Sequence, residues 1–228
     1  MTANRNDAEL GWAWDFSLWV RWVLAPSITA ILSFFIAGAL VAADTEARRF
    51  ESYVDRPNFM TGDNALGAAL LWMVMLIVVV GPSTTLSQAL VLRSATKQVN
   101  RRLWVLVSSL AFGISVLLFW FQYVGWFLPG VIIGFAQWLL LSKHFERAAG
   151  WILITIGAEV AAVVVGFLTR LVLPNNWIGF PSYPFYPLNS VMYWTSIWAV
   201  SVVVFSALTG LGLLWILRQE AAPLFGAV

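Results

Sequence analysis

The sequence predicts an all-α integral membrane protein with six transmembrane helices, arranged as three tandem hairpins with both termini in the cytoplasm. Three observations lead to this prediction: the composition, the number of long apolar segments, and the position of the basic residues. Of the 228 residues, 61% are hydrophobic and 11% are charged, whereas soluble domains have about 45–50% apolar and 25% charged residues. This composition excludes an ordinary soluble enzyme, a disordered chain and a nucleic-acid-binding module.

The apolar segments give the number of spans, because a transmembrane helix needs roughly 20 mostly apolar residues. Six segments qualify, at about 21–43, 65–92, 103–123, 126–142, 151–173 and 191–217. Together they form one transmembrane domain over 21–217, with an N-terminal interfacial arm at 1–20 and a cytoplasmic tail at 218–228. Proline removes a backbone hydrogen bond from a helix, so we expect a kink near Val78–Pro82.

Basic residues gather on one side of the predicted spans. The loop 93–102 has four basic residues and no acid, and the loop 143–150 adds Lys143 and Arg147. On the other side, three arginines in the loop 44–64 are diluted by five acids. Since cytoplasmic loops carry an excess of Lys and Arg, both termini are predicted to lie in the cytoplasm.

Many tryptophans lie near the ends of the predicted spans: Trp12, Trp14, Trp19, Trp22, Trp104, Trp138, Trp151 and Trp215. Amphipathic aromatic rings favour the headgroup level of a bilayer, so we interpret these residues as interfacial anchors. A pigment- or porphyrin-binding role is the alternative interpretation.

An internal repeat underlies the hairpin prediction. The segment 81–93 aligns with 130–142, because both read small-x-x-x-small-x-x-Gln and then continue as an apolar run that ends at a basic loop. A third copy, 206–218, keeps the small pair but has Leu213 in place of the glutamine. The odd-numbered helices also begin alike, with Trp22, Trp104 and Trp151. Three parallel copies imply a pseudo-rotation axis along the membrane normal.

Small residues four positions apart let two helix backbones approach closely. We therefore expect four glycines of the repeat to mediate helix packing: Gly81, Gly130, Gly134 and Gly210. Gln88 and Gln137 are interpreted as hydrogen-bonding cross-links between helices. The alternative is that both line a polar cavity open to the cytoplasm.

The repeat motif also carries a resemblance. The motif residues are Gly130, Gly134, Gln137 and Trp138, and in part Gly81, Gln88 and Arg93. They resemble those of uncharacterised bacterial polytopic membrane proteins with repeated GxxxGxxQWxxLR helical hairpins. The resemblance covers roughly residues 81–160, with departures at Ala89, where that motif has tryptophan, and Ser142, where it has arginine. It implies a helical-hairpin fold in a bacterial cytoplasmic (inner) membrane and brings no established activity.

Glu159 is the ionisable residue that lies deepest in the predicted membrane. It is about 13 Å from the cytoplasmic end of the fifth helix, where an unpaired charge costs about 2.5–3.5 kcal/mol. One interpretation is that Glu159 binds a cation, a proton or a polar ligand, with Gln88, Gln137 and Arg170 around the same cavity. The other is that it stays protonated and joins helices. Arg170 is about 16 Å further along the helix, which excludes a direct salt bridge between the two.

Two further features were considered as sites. His144 is a weak candidate for a metal or magnesium-porphyrin ligand, and we interpret it as part of a solvated loop. No paired carboxylates and no nucleophile motif indicate catalysis, so no catalytic residue and no metal site are predicted. The loop 174–190 has four prolines, five aromatic residues and no charge, which makes it a candidate lid, membrane-seated cap or docking surface.

Two functions follow from these features. The first is a non-catalytic subunit or scaffold of a larger membrane assembly, which packs against partner helices, lipids or pigments. The second is a small transporter or substrate-binding membrane component with Glu159 in an intramembrane polar site. Membrane lipids and other membrane subunits are the expected partners, and nucleic acid is not. The cofactor is unknown from the sequence, with a lipid or pigment as the candidate.

Overall fold

The computed structural model describes residues 5–55, 70–118, 128–173 and 186–221, with side chains described for 15–44, 70–118, 128–173 and 194–218. Throughout these ranges the regular secondary structure is helical. The helices are α1 (Arg5–Asp55), α2 (Leu70–Ala95), α3 (Arg101–Leu118), α4 (Leu128–Leu141), α5 (Gly150–Val172) and α6 (Tyr186–Ala221). The prediction of an all-α protein is confirmed.

Five of these helices are long and apolar enough to cross a membrane. The candidate spans are Asp15–Asp44, Leu70–Ala95, Arg101–Leu118, Gly150–Val172 and Trp194–Arg218. The helix α4 has 14 residues and rises about 21 Å, which is less than the roughly 30 Å hydrocarbon core. Length and composition thus identify a multi-pass, all-helical membrane protein.

Three of the helices end where a proline follows in the sequence. The helix α1 ends at Asp55, α5 at Val172 and α6 at Ala221. In each case the next residue but one is proline, and a residue that precedes proline is sterically disfavoured in the α conformation. The start of α1 has no such breaker, so Arg5 to residue 20, predicted as a separate arm, is continuous with the first span.

The helix α2 contains a π turn where the sequence predicts a kink. The turn is Leu76–Val80, and the N–H of Gly81 donates to the carbonyl of Leu76, five residues back. Pro82 follows and has no N–H to give, so the ladder is already interrupted at this point. The hydroxyl of Thr84 donates to the Val80 carbonyl at 2.7 Å. The wide turn and this hydroxyl accommodate the proline inside a continuous α2.

The helices pack as a closed ring in chain order. Each of α1 to α5 contacts the helix that follows it, and α6 contacts α1. The connections α2–α3 and α4–α5 are short, which makes the joined helices antiparallel neighbours. We call the end of the bundle that carries these two connections, 96–100 and 142–149, the basic end.

Large apolar side chains face outward in this ring, and several tryptophans face inward. Trp22, Trp104 and Trp151 are 1%, 0% and 1% exposed and belong to one core cluster at the basic end. The interpretation of these three residues as interfacial anchors is therefore wrong, because a buried ring does not reach the headgroups. Trp215 is exposed, and the side chains of Trp12 and Trp14 lie outside the described residues.

Candidate functional site

Gln137 forms the centre of a polar network inside the basic end. Its Oε1 accepts a hydrogen bond from Trp151 Nε1 at 3.0 Å, and its Nε2 donates to Ser108 Oγ at 3.2 Å. Gln88 Oε1 accepts from the same Nε2 at 3.4 Å. All four side chains are buried. Since they come from α2, α3, α4 and α5, one glutamine cross-links four helices.

The three core tryptophans differ in what their indole N–H groups contact. Trp151 donates to Gln137, as above, and Trp22 Nε1 donates to Thr209 Oγ1 on α6 at 3.2 Å. Trp104 Nε1 is buried and has no hydrogen-bond partner among the described residues. A buried N–H without an acceptor costs about 1–3 kcal/mol, so Trp104 contributes less to the stability of the bundle than a hydrogen-bonded tryptophan would.

The contact between α6 and α1 closes the ring with polar groups at two levels. Trp19 Nε1 donates to the carbonyl of Ala207 at 3.0 Å. At the basic end, Arg218 forms a salt bridge with Asp15, with Nη2 at 2.6 Å and Nε at 2.8 Å from the carboxylate Oδ2. The first and last spans are therefore joined by directional contacts.

The four glycines predicted to mediate packing are buried, and each lies against the helix that follows it in the ring. An added Cβ on Gly81 would lie 2.7 Å from the ring of Phe112 on α3, and one on Gly210 would lie 2.9 Å from the ring of Trp22. A Cβ on Gly134 would overlap the hydroxyl of Thr155 on α5. At these positions only glycine permits the observed approach.

Glu159 lies on α5 beside the first turn of α4. A Cβ added to Gly130, the remaining packing glycine, would lie 2.6 Å from Glu159 Cβ and 3.0 Å from the carbonyl oxygen of Thr155. The glutamate side chain is half-buried, and it makes no hydrogen bond or ion pair within the described residues. Glu159 is two turns, about 12 Å, from Trp151 along the helix. It is therefore separate from the Gln137 network.

Arg170 lies at the opposite end of α5 from the basic end. Its guanidinium carbon is 5.7 Å from the centre of the Trp194 ring, a distance that allows a cation–π contact. Of the four residues predicted to surround one cavity, the structure brings Gln88 and Gln137 together. Glu159 and Arg170 lie elsewhere in the bundle.

The remaining sequence candidates lie in turns and loops. His144 is exposed in the turn after α4, where its backbone N–H donates to the carbonyl of Leu141 at 2.9 Å. The residues that the structure describes contain no group of three or more His, Cys, Asp or Glu side chains that could hold a metal ion. Most of the loop 174–190 falls outside the described residues, and its last part, from Tyr186, begins α6.

The sequence analysis did not identify three polar residues that contact the predicted ones: Ser108, which accepts from Gln137, Thr155, which lies against Gly134, and Thr209, which accepts from Trp22. A signal for two of them was present, since Ser108 follows Trp104 by four residues and Thr155 follows Trp151 by four. Residues four apart share a helix face. If Trp104 and Trp151 are buried, the residues one turn later, Ser108 and Thr155, are therefore expected to be buried as well. Once the tryptophans were interpreted as interfacial anchors, that implication was lost.

Comparison with known proteins identifies no related protein. No protein-family model, no curated protein and no solved structure matches the chain.

Proposed function

We propose that the chain is a non-catalytic integral membrane subunit or scaffold of a larger membrane protein assembly. The observation that carries this proposal is that polar side chains in the interior hydrogen-bond other helices of the bundle. Gln137 hydrogen-bonds both Ser108 and Trp151 and so stabilises contacts between helices. A solute site instead needs a few polar groups that converge on the solute.

The other half of the bundle is also packed with side chains. Phe34 of α1 stacks on Trp198 with ring centres 4.5 Å apart, and it meets Trp72 edge-on at 4.8 Å. These rings pack with Val80 in a second buried cluster. Aromatic rings from three helices thus occupy the interior here, which favours a structural role for the core.

The proposed architecture is six spans in three tandem hairpins. The order of neighbours in the ring supports it, because a pseudo-rotation axis requires each hairpin to contact the next and the last to contact the first. The burial pattern supports it as well. The three motif positions are buried in every copy, namely Gly81, Gly130 and Ser206, then Thr85, Gly134 and Gly210, then Gln88, Gln137 and Leu213. The short α4 is proposed as the fourth of these spans.

The proposed orientation places the basic end and both termini in the cytoplasm of a bacterial inner membrane. Exposed Arg93, Lys97, Arg101 and Arg102 lie at this end, as the positive-inside rule requires of the cytoplasmic side. At the opposite end the described charged side chains are Asp44 and Arg170, and the rest of α1 adds two arginines and three acids in sequence. The contrast in basic residues supports this orientation.

The partners in this proposal are membrane lipids and other membrane subunits, and a pigment is a further ligand of the same surfaces. The described surface offers apolar area for such contacts, most of all on α5, where Leu153 is 75% and Leu171 is 67% exposed. The uncharged aromatic loop 174–190 remains a candidate docking surface from its sequence. Nucleic acid is not an expected partner, since the net charge is only +2.

Position-specific photo-crosslinking in cells tests this proposal. A photoreactive residue is placed in turn at exposed Leu106, Leu110, Leu153 and Leu171, with buried Ala111 and Ala158 as controls. The expected result is one protein partner crosslinked from neighbouring exposed positions of one face, and only intrachain products from the buried positions. Lipid adducts alone from every exposed position of the bundle contradict the subunit proposal.

The alternative function is a small membrane transporter or substrate-binding component. Glu159 is the observation in its favour, because a half-buried membrane carboxylate without a described partner is a functional candidate. The test is Glu159→Gln, with growth or uptake compared against Glu159→Asp. Loss with the glutamine variant and retention with the aspartate variant, both at normal protein level, favours transport. Retained function in the glutamine variant rules out a cation site or proton relay at this residue.

A further inference from the structure

The connection between α2 and α3 concentrates positive charge without compensation. Residues 93–102 contain Arg93, Lys97, Arg101 and Arg102 and no acid. All four side chains are exposed, and none of them forms an ion pair within the described parts of the chain. Four cations are therefore presented together at the level where the helices leave the membrane.

This connection is held in place by the core beneath it. Val99 is buried in the same cluster as Trp104 and Phe145. The side chain of Asn100 accepts the N–H groups of Arg102 at 3.0 Å and Leu103 at 3.3 Å. The cations thus project from a defined backbone.

Each of the two helices carries an exposed leucine stripe that ends at one of these arginines. On α2, Leu86, Leu90 and Arg93 follow at spacings of four and three residues, which place them on one face. On α3, Arg102 and Leu106 are four residues apart, and Leu110 follows after four more. The leucines are exposed. An apolar surface capped by cations is the complement of an anionic phospholipid, which has acyl chains below a phosphate.

The α4–α5 connection provides a contrast within the same molecule. Ser142 stands where Arg93 stands in the first repeat, and the cations Lys143 and Arg147 have Glu146 between them. In the third repeat copy the corresponding residue is Arg218, which forms a salt bridge with Asp15. The α2–α3 connection is thus the most cationic of the three related positions.

We propose that the α2–α3 connection binds the phosphate headgroup of an anionic phospholipid, with Arg93 and Arg102 as its principal contacts and the leucine stripes against the acyl chains. This deepens the proposed function by naming the class of lipid against which the bundle packs. It does not depend on the identity of any protein partner. A failed crosslinking scan and a failed lipid measurement are therefore distinguishable.

Native mass spectrometry of the purified full chain tests the proposal, with phosphatidylglycerol and phosphatidylcholine of identical acyl chains as probes. Wild type is expected to retain phosphatidylglycerol in preference to phosphatidylcholine. Each Lys or Arg near an anionic surface strengthens binding about fivefold, so Arg93→Gln/Arg102→Gln is expected to lose about 30-fold. The matched control Lys143→Gln/Arg170→Gln removes the same charge but only one cation of the basic end, so it is expected to lose no more than about fivefold.

A salt titration of wild type gives a second measurement that needs no variant. The preference should weaken from 0.1 to 1 M salt, as the Debye length falls from about 10 Å to 3 Å. Equal loss in both double variants, no preference for phosphatidylglycerol, or displacement of the lipid by millimolar inorganic phosphate would overturn the proposal.

Discussion

The α4–α5 contact and the α6–α1 contact have the same small residues but different hydrogen bonds. In the first, Gly134 lies against Thr155, and in the second, Gly210 lies against Trp22. In both contacts a buried tryptophan of the odd-numbered helix faces the even-numbered one. The close approach of the helices is therefore common to the two regions.

The acceptor for the indole N–H is where the two contacts differ. Gln137 accepts from Trp151, whereas Leu213, at the aligned position, has no acceptor. Trp22 instead donates to Thr209, one turn earlier on α6. Each of these two contacts thus supplies an acceptor to the buried indole, but from a different position of the even-numbered helix.

The largest expected effect comes from filling the close approach in the first contact. Gly134→Val places side-chain atoms on the Thr155 hydroxyl, and we expect the free energy of unfolding in lipid micelles to fall by about 3 kcal/mol. Gly157→Val is the control, since nothing lies within 4 Å of a Cβ added there. Similar losses in the two variants would show that the glycine contact is unimportant.

Removal of the acceptor from the same contact should have an intermediate effect. Gln137→Leu leaves Trp151 Nε1 unpaired, and we expect a loss of about 1–2 kcal/mol in the same unfolding measurement. Trp151→Phe should cost less in the Gln137→Leu background than in wild type, because the N–H has already lost its acceptor. Gln98→Leu, in the exposed connection, is the control. If the losses from Gln137→Leu and Trp151→Phe are additive, the hydrogen bond between the two side chains does not contribute to stability.

The second contact predicts a smaller loss and a specific rescue. Thr209→Val removes the acceptor of Trp22 and should lower the free energy of unfolding by about 0.6 kcal/mol. Leu213→Gln, added to Thr209→Val, supplies an acceptor at the aligned position and should restore most of that loss. If this second substitution destabilises the protein further, the two contacts are not equivalent.

The smallest effect is expected at the salt bridge that only the second contact has. Asp15→Asn breaks its pair with Arg218, whose side chain is 55% exposed, so we expect a loss of about 0.5 kcal/mol that disappears at high salt. Lys143→Gln removes an exposed cation that has no ion pair within the described residues and should leave the free energy of unfolding unchanged. A loss above about 2 kcal/mol for Asp15→Asn would mean that the ring depends on this pair.

Helix positions were predictable because length and apolar composition alone define a span. The prediction of a loop over 44–64 was wrong for 44–55, because α1 continues to Asp55; Pro57, two residues later, is the sequence signal for that end. The inward direction of Trp22, Trp104 and Trp151 could not be predicted. A tryptophan near the end of a span has the same sequence signature whether its ring contacts lipid headgroups or the protein core. Their burial depends on which helices become neighbours.

The candidate site was predictable only in part, for a related reason. Repeat alignment identified Gln88 and Gln137, and helix geometry separated Arg170 from Glu159. The spacing from Trp104 indicates that Ser108 is buried, but its bond to Gln137 and the bond of Thr209 to Trp22 join distant parts of the chain. Such contacts leave no local pattern. Glu159 was identified by depth alone, and its place beside Gly130 depends on how α4 and α5 pack.

Native mass spectrometry of the chain extracted from its own membrane tests the central proposal most directly. The chain alone has a mass of 25.3 kDa. A non-catalytic subunit predicts a main species that exceeds this mass by the mass of other protein chains, and that loses them in Gly134→Val. A main species at the mass of one chain, or at whole multiples of it, would contradict the account.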